Sequence, residues 1–528
     1  MSRPSLRTLN GQTFDVAVIG AGAIGSSAAQ HLAAAGYRTL LVDKGDFGAG
    51  TSSRSGRMLA CGIRYLEPGD GLAYMAPGTS PLWQFVRHPK QFMTGLRKAR
   101  DCARCRSDFV RTMPERVEAN TWFYPIYEGD KYAPWQVKLG FKLLWAIAPK
   151  DVPLDDRMLT PQEAKGAPLA GMLRDPERLR AVASFREYRF EWPERIVMDN
   201  VLDAERMGAV IRNYTAVTDL RREREGPWSL VLRDEAGDTT TARLQAHVVI
   251  NAAGIWIDKV NRLASPSAPR KITGTKGAHI MVQLPPECRR YGVITSYRDG
   301  NPFYIYPWRG MHYIGPTDTL YEGDVDADVT ATEDEIRFLI DEANHLLPSL
   351  ALKRSDVLFT WAGVRPQTYD AHVAMGLRWR RMHDLGEAGM PNMLALTAGN
   401  IISHRLSGQE LCQTVASRLP PSGAPQTISY AAKLAPGRES SPALLNHWGG
   451  ATLEDLRHAA AREHPVTLVD LLFGRVGAGW TATMAREGAR LAAETVADIL
   501  GWDAQRIERE VVGYHAHIAR LHGVRSGD

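Results

Sequence analysis

An apolar strand, a glycine turn, an alanine-rich helix and a second strand ending in an acid follow one another over residues 14–43, and predict an α/β fold of Rossmann-like type. Two further observations fill in the rest of the chain. Several stretches between 183 and 317 alternate apolar and polar side chains between turn signals, which predicts a β-rich region. Residues 452–520 read as almost wholly helical, which predicts a separate C-terminal helical cap.

The first unit runs FDVAVIGAGAIG from Phe14 and contains Gly20-x-Gly22-x-x-Gly25. Gly20 serves the tight turn, Gly22 the close approach of a pyrophosphate, and Gly25 the packing of helix on strand. The helix over 26–36 presents its N-terminus to phosphates, and Asp43, with Lys44 beside it, ends the strand over 37–43 where a ribose hydroxyl would lie. A bare glycine triplet also punctuates ordinary turns, but here strand, helix, second strand and acid fall in register. The unit predicts an adenine dinucleotide.

Residues 51–67, TSSRSGRMLACGIRYLE, follow and read as the floor of a flavin site. The hydroxyls of Thr51, Ser52, Ser53 and Ser55 suit pyrophosphate oxygens, and Gly56, Ala60 and Gly62 let a backbone lie close to a flat ring. Arg64, followed by Tyr65, offers a permanently charged planar fork to an anionic substrate.

At 528 residues the chain is long enough for two or three domains. Its net charge of +5 carries no nucleic-acid signature and suits anionic substrates or lipid headgroups. The five cysteines are scattered, as in reduced cytosolic proteins, and Cys102-x-x-Cys105 lacks the second pair a zinc site needs. No secretory signal and no run of roughly 18 apolar residues is present, so a soluble or peripheral protein is expected.

Further along, residues 69–89 read as a loop and 91–113 as a basic helix. Residues 132–149 are an apolar helix with Trp135, Trp145, Lys138 and Lys142, suited either to a membrane interface or to a core edge with snorkelling lysines. Strands are expected over 183–192, 209–220, 228–234 and 241–250, the last running into Asn251-Ala-Ala253-Gly254. A strand enters at 274–280, and 302–317 form a hairpin with Trp308-Arg309-Gly310 at a solvated tip. A helix capped by Thr332 covers 332–347, and 357–366 form a strand and then a corner. A strand at 392–396 leads through Gly399-Asn400 into a helix carrying His404 and Arg405, and 420–436 read as a linker.

Together these landmarks resemble the FAD-dependent glycerol-3-phosphate dehydrogenases, within the D-amino-acid-oxidase-like flavoproteins. The carrying residues are GAGAIG (20–25), GDFGAGTSSRSGRMLACGIRYLE (45–67), NAAGIW (251–256), TKGAHI (275–280), IGPTDTLYEGD (314–324), WAGVRP (361–366) and the closing HPVTLVDLLFGRVGAGW (464–480). The resemblance implies a discontinuous FAD-binding domain over 14–80, 195–270 and 355–415, a substrate-binding domain over 81–194 and 271–354, and a helical domain over 437–528. It implies FAD held by Gly20, Gly22, Gly25, Asp43, Lys44, Thr51, Ser52, Ser53, Val217, Ala253, Gly254, Gly363, Gly399 and Asn400. It implies oxidation of a secondary alcohol on a glycerol-phosphate-like substrate, with electrons leaving to quinone or a similar acceptor. Arg64 and Arg365 match arginines at the substrate anion, His279 a histidine beside the reacting carbon, and Tyr65, Lys276 and Arg405 further substrate contacts. A cytoplasmic enzyme, peripheral on the inner face of the membrane and compatible with a homodimer, fits this picture.

Two departures bear on substrate. Family members commonly carry His-Gly-Gly where this chain has Ala60-Cys61-Gly62, and a Gly-Gly-Lys segment where it has Ala398-Gly399-Asn400. A lysine lost from a desolvated phosphate removes about 1.5–3 kcal/mol. His404 stands where the family has tyrosine and is a candidate to replace the missing base. Two alternatives therefore stand beside the polyol-phosphate reading: the same chemistry on an unphosphorylated polyol, hydroxy acid or amine, and a catalytically silent flavin-binding partner.

Overall fold

The computed structural model describes residues 3, 5–66, 89–222, 225–237, 240–298, 300–433, 435–444 and 450–523. The loop expected over 69–89 lies outside them apart from Pro89, which opens the helix Pro89–Thr112.

The N-terminal unit forms as its glycines require. The strand Thr13–Ile19 enters a turn in which Gly20 has φ +99°, and the helix Ala23–Ala34 starts directly after it. A Cβ on Gly25 would lie 1.8 Å from the Gly20 carbonyl oxygen, so helix and turn touch through bare backbone. The helix is rich in alanine because it is buried on nearly every side, packed against Pro193–Arg206 and His404–Ala416 as well as the sheet.

Parallel pairing runs Met393–Thr397, Thr241–Asn251, Thr13–Ile19, Thr39–Val42 and Val210–Arg212 in spatial order, with Arg381–Asp384 antiparallel at one edge. The expected strand over 209–220 breaks in two. Tyr214 sits at φ +45°, and Asn213 turns inward to donate to Asp46 Oδ1 at 2.9 Å and the His464 carbonyl at 2.8 Å. Only the second piece, Thr215–Arg222, joins the antiparallel ladder expected with Trp228–Asp234.

The second sheet runs Thr319–Leu320, Ile272–Val282, Met311–Gly315, Pro302–Trp308, Tyr291–Ser296, Val117–Tyr127, Leu179–Phe190 and Met58–Leu59. Val357–Thr368, expected as a strand and a corner, is one unbroken strand, because it pairs antiparallel with Ile272–Val282 from end to end. It lies inside the 355–415 stretch expected for the nucleotide-binding domain, yet its partners are in the second sheet.

The hairpin turn at Arg309-Gly310 forms with positive φ at both residues, but it is not solvated. Trp308 and Arg309 are buried because the C-terminal segment covers them: Trp480 lies 5.7 Å from Trp308, and Arg309 donates to the Gly477 carbonyl. That segment is helical at Leu453–Arg462, Ala489–Leu500 and Ala504–His522, with turns and a short wide helix, Asp470–Arg475, between. It does not stand apart. Leu456, Leu471, Phe473, Trp480 and Tyr514 share one apolar core with Trp122, Phe359 and Trp361 of the second sheet. In the stretch expected as a linker over 420–436, the chain is tied to the C-terminal end of the helix Ala23–Ala34, with Gly423 N–H donating to Gly36 O at 2.8 Å and Gln426 N–H to Ala34 O at 2.7 Å.

Buried ion pairs tie the C-terminal segment to the first sheet. Arg475 grips Asp46 bidentately at 2.6 and 2.7 Å, and Arg195 grips Glu463 at 2.6 and 3.0 Å. Arg475→Met would leave the buried Asp46 carboxylate without its cation, and we expect a loss of about 3–5 kcal/mol in urea unfolding. An unchanged midpoint would show that the segment is held by apolar packing alone.

Candidate active site

The C-terminal ends of the parallel strands and the His279 side of the second sheet enclose one large cavity of about 760 Å³. That is within the roughly 300–1,000 Å³ usual for cofactor and small-molecule sites. Ligands of open α/β sheets bind at this end of the strands.

At the nucleotide end, Gly20, Gly22, Asp43, Lys44, Val217, Ala253 and Gly254 line the wall. Ser52 Oγ accepts the Ala23 N–H at 2.9 Å, and a Cβ on Gly22 would come within 3.1 Å of that hydroxyl. Asp43 receives the Ala21 N–H at 2.6 Å and the Gly45 N–H at 2.9 Å. Burial lifts its carboxyl to about 6, and those two donors oppose the rise. Lys44 lies 4.3 Å over the Trp256 ring and pairs with Asp326, which also takes the Trp256 Nε1–H at 2.7 Å. In the middle, Thr51, Gly363, Gly399 and Asn400 line the cavity, and Thr51 Oγ1 donates to Val364 O at 2.7 Å.

The far wall is built on two paired strands. His279 faces Trp361 across the ladder, Gly277 faces Gly363, and Thr275 faces Arg365. His279 is buried, stacked on Trp361 at 4.8 Å and 13°, and edge-on to Tyr313 at 5.5 Å. Neither of its ring nitrogens has a hydrogen-bond partner among the described residues, although the ring lines the cavity. Burial, then the charges of Arg365 and Arg57, hold the imidazole well below its ordinary range, so it is neutral at neutral pH. Arg365 reclines across Gly277, where a Cβ would meet Nη2 at 2.1 Å, and donates to Asp318 Oδ1 at 3.1 Å.

Several lining residues were not singled out from the sequence. Arg378 shares Asp318 with Arg365, so two guanidinium groups stand against one carboxylate. Arg54, Arg57, Tyr304 and Tyr313 also line the wall. Arg54 and Arg57 lie within the quoted 51–67 motif, while Arg378 lay in a stretch without a recognisable pattern.

Other expected residues are placed elsewhere. Lys276 points from the opposite face of its strand and pairs with Glu335 at 2.7 Å. His404 is buried against Phe109, its Nδ1–H donating to Ile401 O at 2.5 Å, and burial lowers it to about 3. It therefore does not supply the missing cation. Arg405 is drawn back to Asp108 at 2.6 Å and lies over Phe109 and Tyr430. Ser53 spends its hydroxyl on Ala49 O at 3.0 Å and Gly50 O at 2.9 Å, and Gly25 serves the turn behind the wall. Tyr65 lines the cavity, whereas the Arg64 side chain lies outside the described part of the structure. All five cysteines are free thiols, and no His, Cys, Asp and Glu cluster suited to a metal occurs among the described residues.

Comparison with known proteins agrees with this geometry. The model of the FAD dependent oxidoreductase family matches residues 15–405. A glycerol-3-phosphate dehydrogenase of Synechocystis sp. is 32% identical over 447 residues, covering 82% of this chain and 75% of that protein. The aerobic glycerol-3-phosphate dehydrogenase of Staphylococcus haemolyticus is 26% identical over 418 residues, covering 78% and 69%. Among solved structures, the FAD-complexed glycerol-3-phosphate dehydrogenase of Bacillus halodurans superposes with a TM-score of 0.70 at 20% identity, covering 98% of this chain and 96% of that one. The L-α-glycerophosphate oxidase of Mycoplasma pneumoniae with FAD bound gives 0.54 at 16% identity, covering 80% and 99%. A bare glycine turn, an acid at the second strand end and a long cavity crossing to an unpartnered histidine fit FAD along its length. The chain belongs to the FAD-dependent oxidoreductases, with the glycerol-3-phosphate dehydrogenases among its relatives.

Proposed function

We propose that the enzyme oxidises the secondary alcohol of a small polyol phosphate related to glycerol 3-phosphate, and passes the electrons to a quinone. The observation that carries this reading is His279: a neutral, buried imidazole on the cavity wall with both nitrogens unpartnered among the described residues, two glycines away from an arginine pair.

FAD, when bound, supplies the two-electron acceptor for the hydride. The hydroxyl proton must leave as well, and a neutral His279 accepts it at the ring nitrogen that faces the hydroxyl. Arg365 and Arg378 hold the anionic group, with Asp318 fixing both forks. The bare faces of Gly277 and Gly363 leave room for the Arg365 guanidinium and the Arg54 side chain to lie along this wall. Asn400 does not restore the family's lysine, because its Oδ1 accepts the Ser403 N–H and hydroxyl at 2.9 Å each. The anion is therefore assigned to the sheet side of the cavity.

Anaerobic titration with glycerol 3-phosphate, four-carbon polyol phosphates and their unphosphorylated parents tests this. The phosphorylated compounds should bleach the flavin, and Arg365→Gln should raise their KM roughly 10- to 150-fold, the equivalent of about 1.5–3 kcal/mol. Bleaching by unphosphorylated compounds alone would favour the second substrate class, and bleaching by none of them would sink the proposal.

A quinone acceptor requires contact with a membrane, although no described helix is long and apolar enough to cross one. The helix Pro134–Ile147 buries Phe141 and Leu144 but leaves Trp135 57%, Leu139 48% and Trp145 62% exposed, flanked by Lys138 and Lys142. That aromatic and basic face suits the interface of an anionic bilayer. Trp145→Glu should abolish flotation with anionic liposomes; equal flotation of wild type and variant would remove this helix from the reading.

A further inference from the structure

Arg57 is the least conventional group on the reactive wall. Its guanidinium carbon lies 4.2 Å from the Trp308 ring, 4.5 Å from Trp361 and 4.4 Å from Trp480. These three indoles come from the hairpin turn, the Arg365 strand and the C-terminal segment. The group is 1% exposed and makes no ion pair among the described residues. Its hydrogen bonds go to the carbonyls of its own loop, Ser55 at 3.0 Å and Ser53 at 3.2 Å, and Nε has no partner. The residue itself sits at φ +53°. A buried charge in a strained backbone conformation is costly, and packing alone would be served by an apolar side chain. The aromatic faces offset part of that cost.

We infer that Arg57 is a positioning residue for His279, acting through the Trp361 ring and tying the reactive wall to the C-terminal segment through Trp480. Trp361 both caps the guanidinium and stacks on the imidazole, so the plane of one fixes the plane of the other. The Tyr313 ring stands edge-on to the imidazole, and its hydroxyl donates to Gly56 O in the same loop as Arg57. Trp480 is oriented in turn by Glu194, whose Oε1 accepts its Nε1–H at 3.0 Å. The charged groups facing His279 are Arg57 and Arg365. Behind Arg365 stand Asp318 and Arg378, and behind Arg57 stand Glu194 and Arg309. Both facing charges add to the desolvation that opposes protonation, so Arg57 lowers the imidazole's proton affinity alongside Arg365.

This inference rests on His279 as the proton acceptor, and the test separates the two ideas. Holoenzyme variants Arg57→Met, Arg57→Lys, Trp480→Leu and His279→Asn would be compared by pH–rate profile and by histidine-ring NMR, with His279→Asn assigning the resonance. Arg57→Met should move both the His279 titration and the acid limb of kcat/KM upward by about one pH unit, and lower kcat about tenfold with little change in KM. The substrate's own phosphate ionisation is common to all variants and cancels in that displacement. Arg57→Lys should return the titration to its wild-type position without restoring kcat, because the charge returns but the planar stack does not. Should Arg57→Met fail to fold, Trp480→Leu, which leaves the cavity lining intact, should lower kcat at unchanged KM. An Arg57→Met profile superimposed on wild type, or a Trp480→Leu enzyme with full kcat, would overturn the inference. An active His279→Asn enzyme would instead overturn the reading of His279 as the base.

Discussion

Two glycines facing each other across one strand pair set the shape of the reactive wall. Gly277 and Gly363 are partners in the ladder between Ile272–Val282 and Val357–Thr368, with His279 and Trp361 one step along it and Thr275 and Arg365 one step the other way. Alternation puts all of these on one face. At about 3.4 Å per residue, the His279 and Arg365 pairs are spaced roughly 13 Å apart along the strands. Arg365 closes part of that distance by lying over Gly277, which only an absent side chain allows. Arg54 uses the other gap, its Cβ 2.7 Å from where a Gly363 Cβ would lie. The wall is thus a pair of glycines overlaid by arginine side chains, with a base at one end and a cation at the other.

The electrostatics follow from that arrangement. Arg57 is fully buried and Arg365 partly so, and between them His279 has no hydrogen-bonding partner among the described residues to stabilise a proton. In the proposed reading, an incoming phosphate changes this balance. It adds negative charge next to the arginines, and so makes the imidazolium formed during oxidation less costly. Binding of the anion and readiness of the base are then coupled through charge alone, without a conformational change. Interactions that favour the charged state reached during reaction, more than the ground state, are the ones that raise kcat.

Local chemistry was legible in the sequence; pairing at a distance was not. The glycine turn and the Thr332 helix cap depend on residues within a few positions, and each forms as read. The hairpin turn was placed correctly, but its burial depends on Trp480, more than 160 residues away, so nothing local marked Trp308 and Arg309 as interior. The same distance hid the unbroken Val357–Thr368 strand, whose partner begins at Ile272. Lys276 is different, because TKGAHI itself carried the answer. In a strand, 275, 277 and 279 share one face, so a lysine at 276 was committed to the other face once His279 was assigned to the cavity. Arg405 and His404 were misread for a further reason: Arg405 is held by Asp108 and His404 packs against Phe109, partners far away in the chain that only the fold brings near.

The departure at Asn400 acquires a physical meaning in this frame. Its Oδ1 accepts hydrogen bonds from Ser403 at the start of the His404–Ala416 helix, and so it acts as a local cap. A lysine there would place a mobile charge on the helix side of the cavity. What stands in its absence is a pair of arginines on the sheet side, braced by Asp318 and by the glycine strip beneath. Two rigid forks leave one net positive charge once Asp318 is counted, and they fix direction as well as charge. In the proposed reading, specificity therefore rests on the distance between that braced pair and His279. A substrate is accepted according to how far its oxidisable carbon stands from its anionic group, and chain length becomes the variable that the cavity measures.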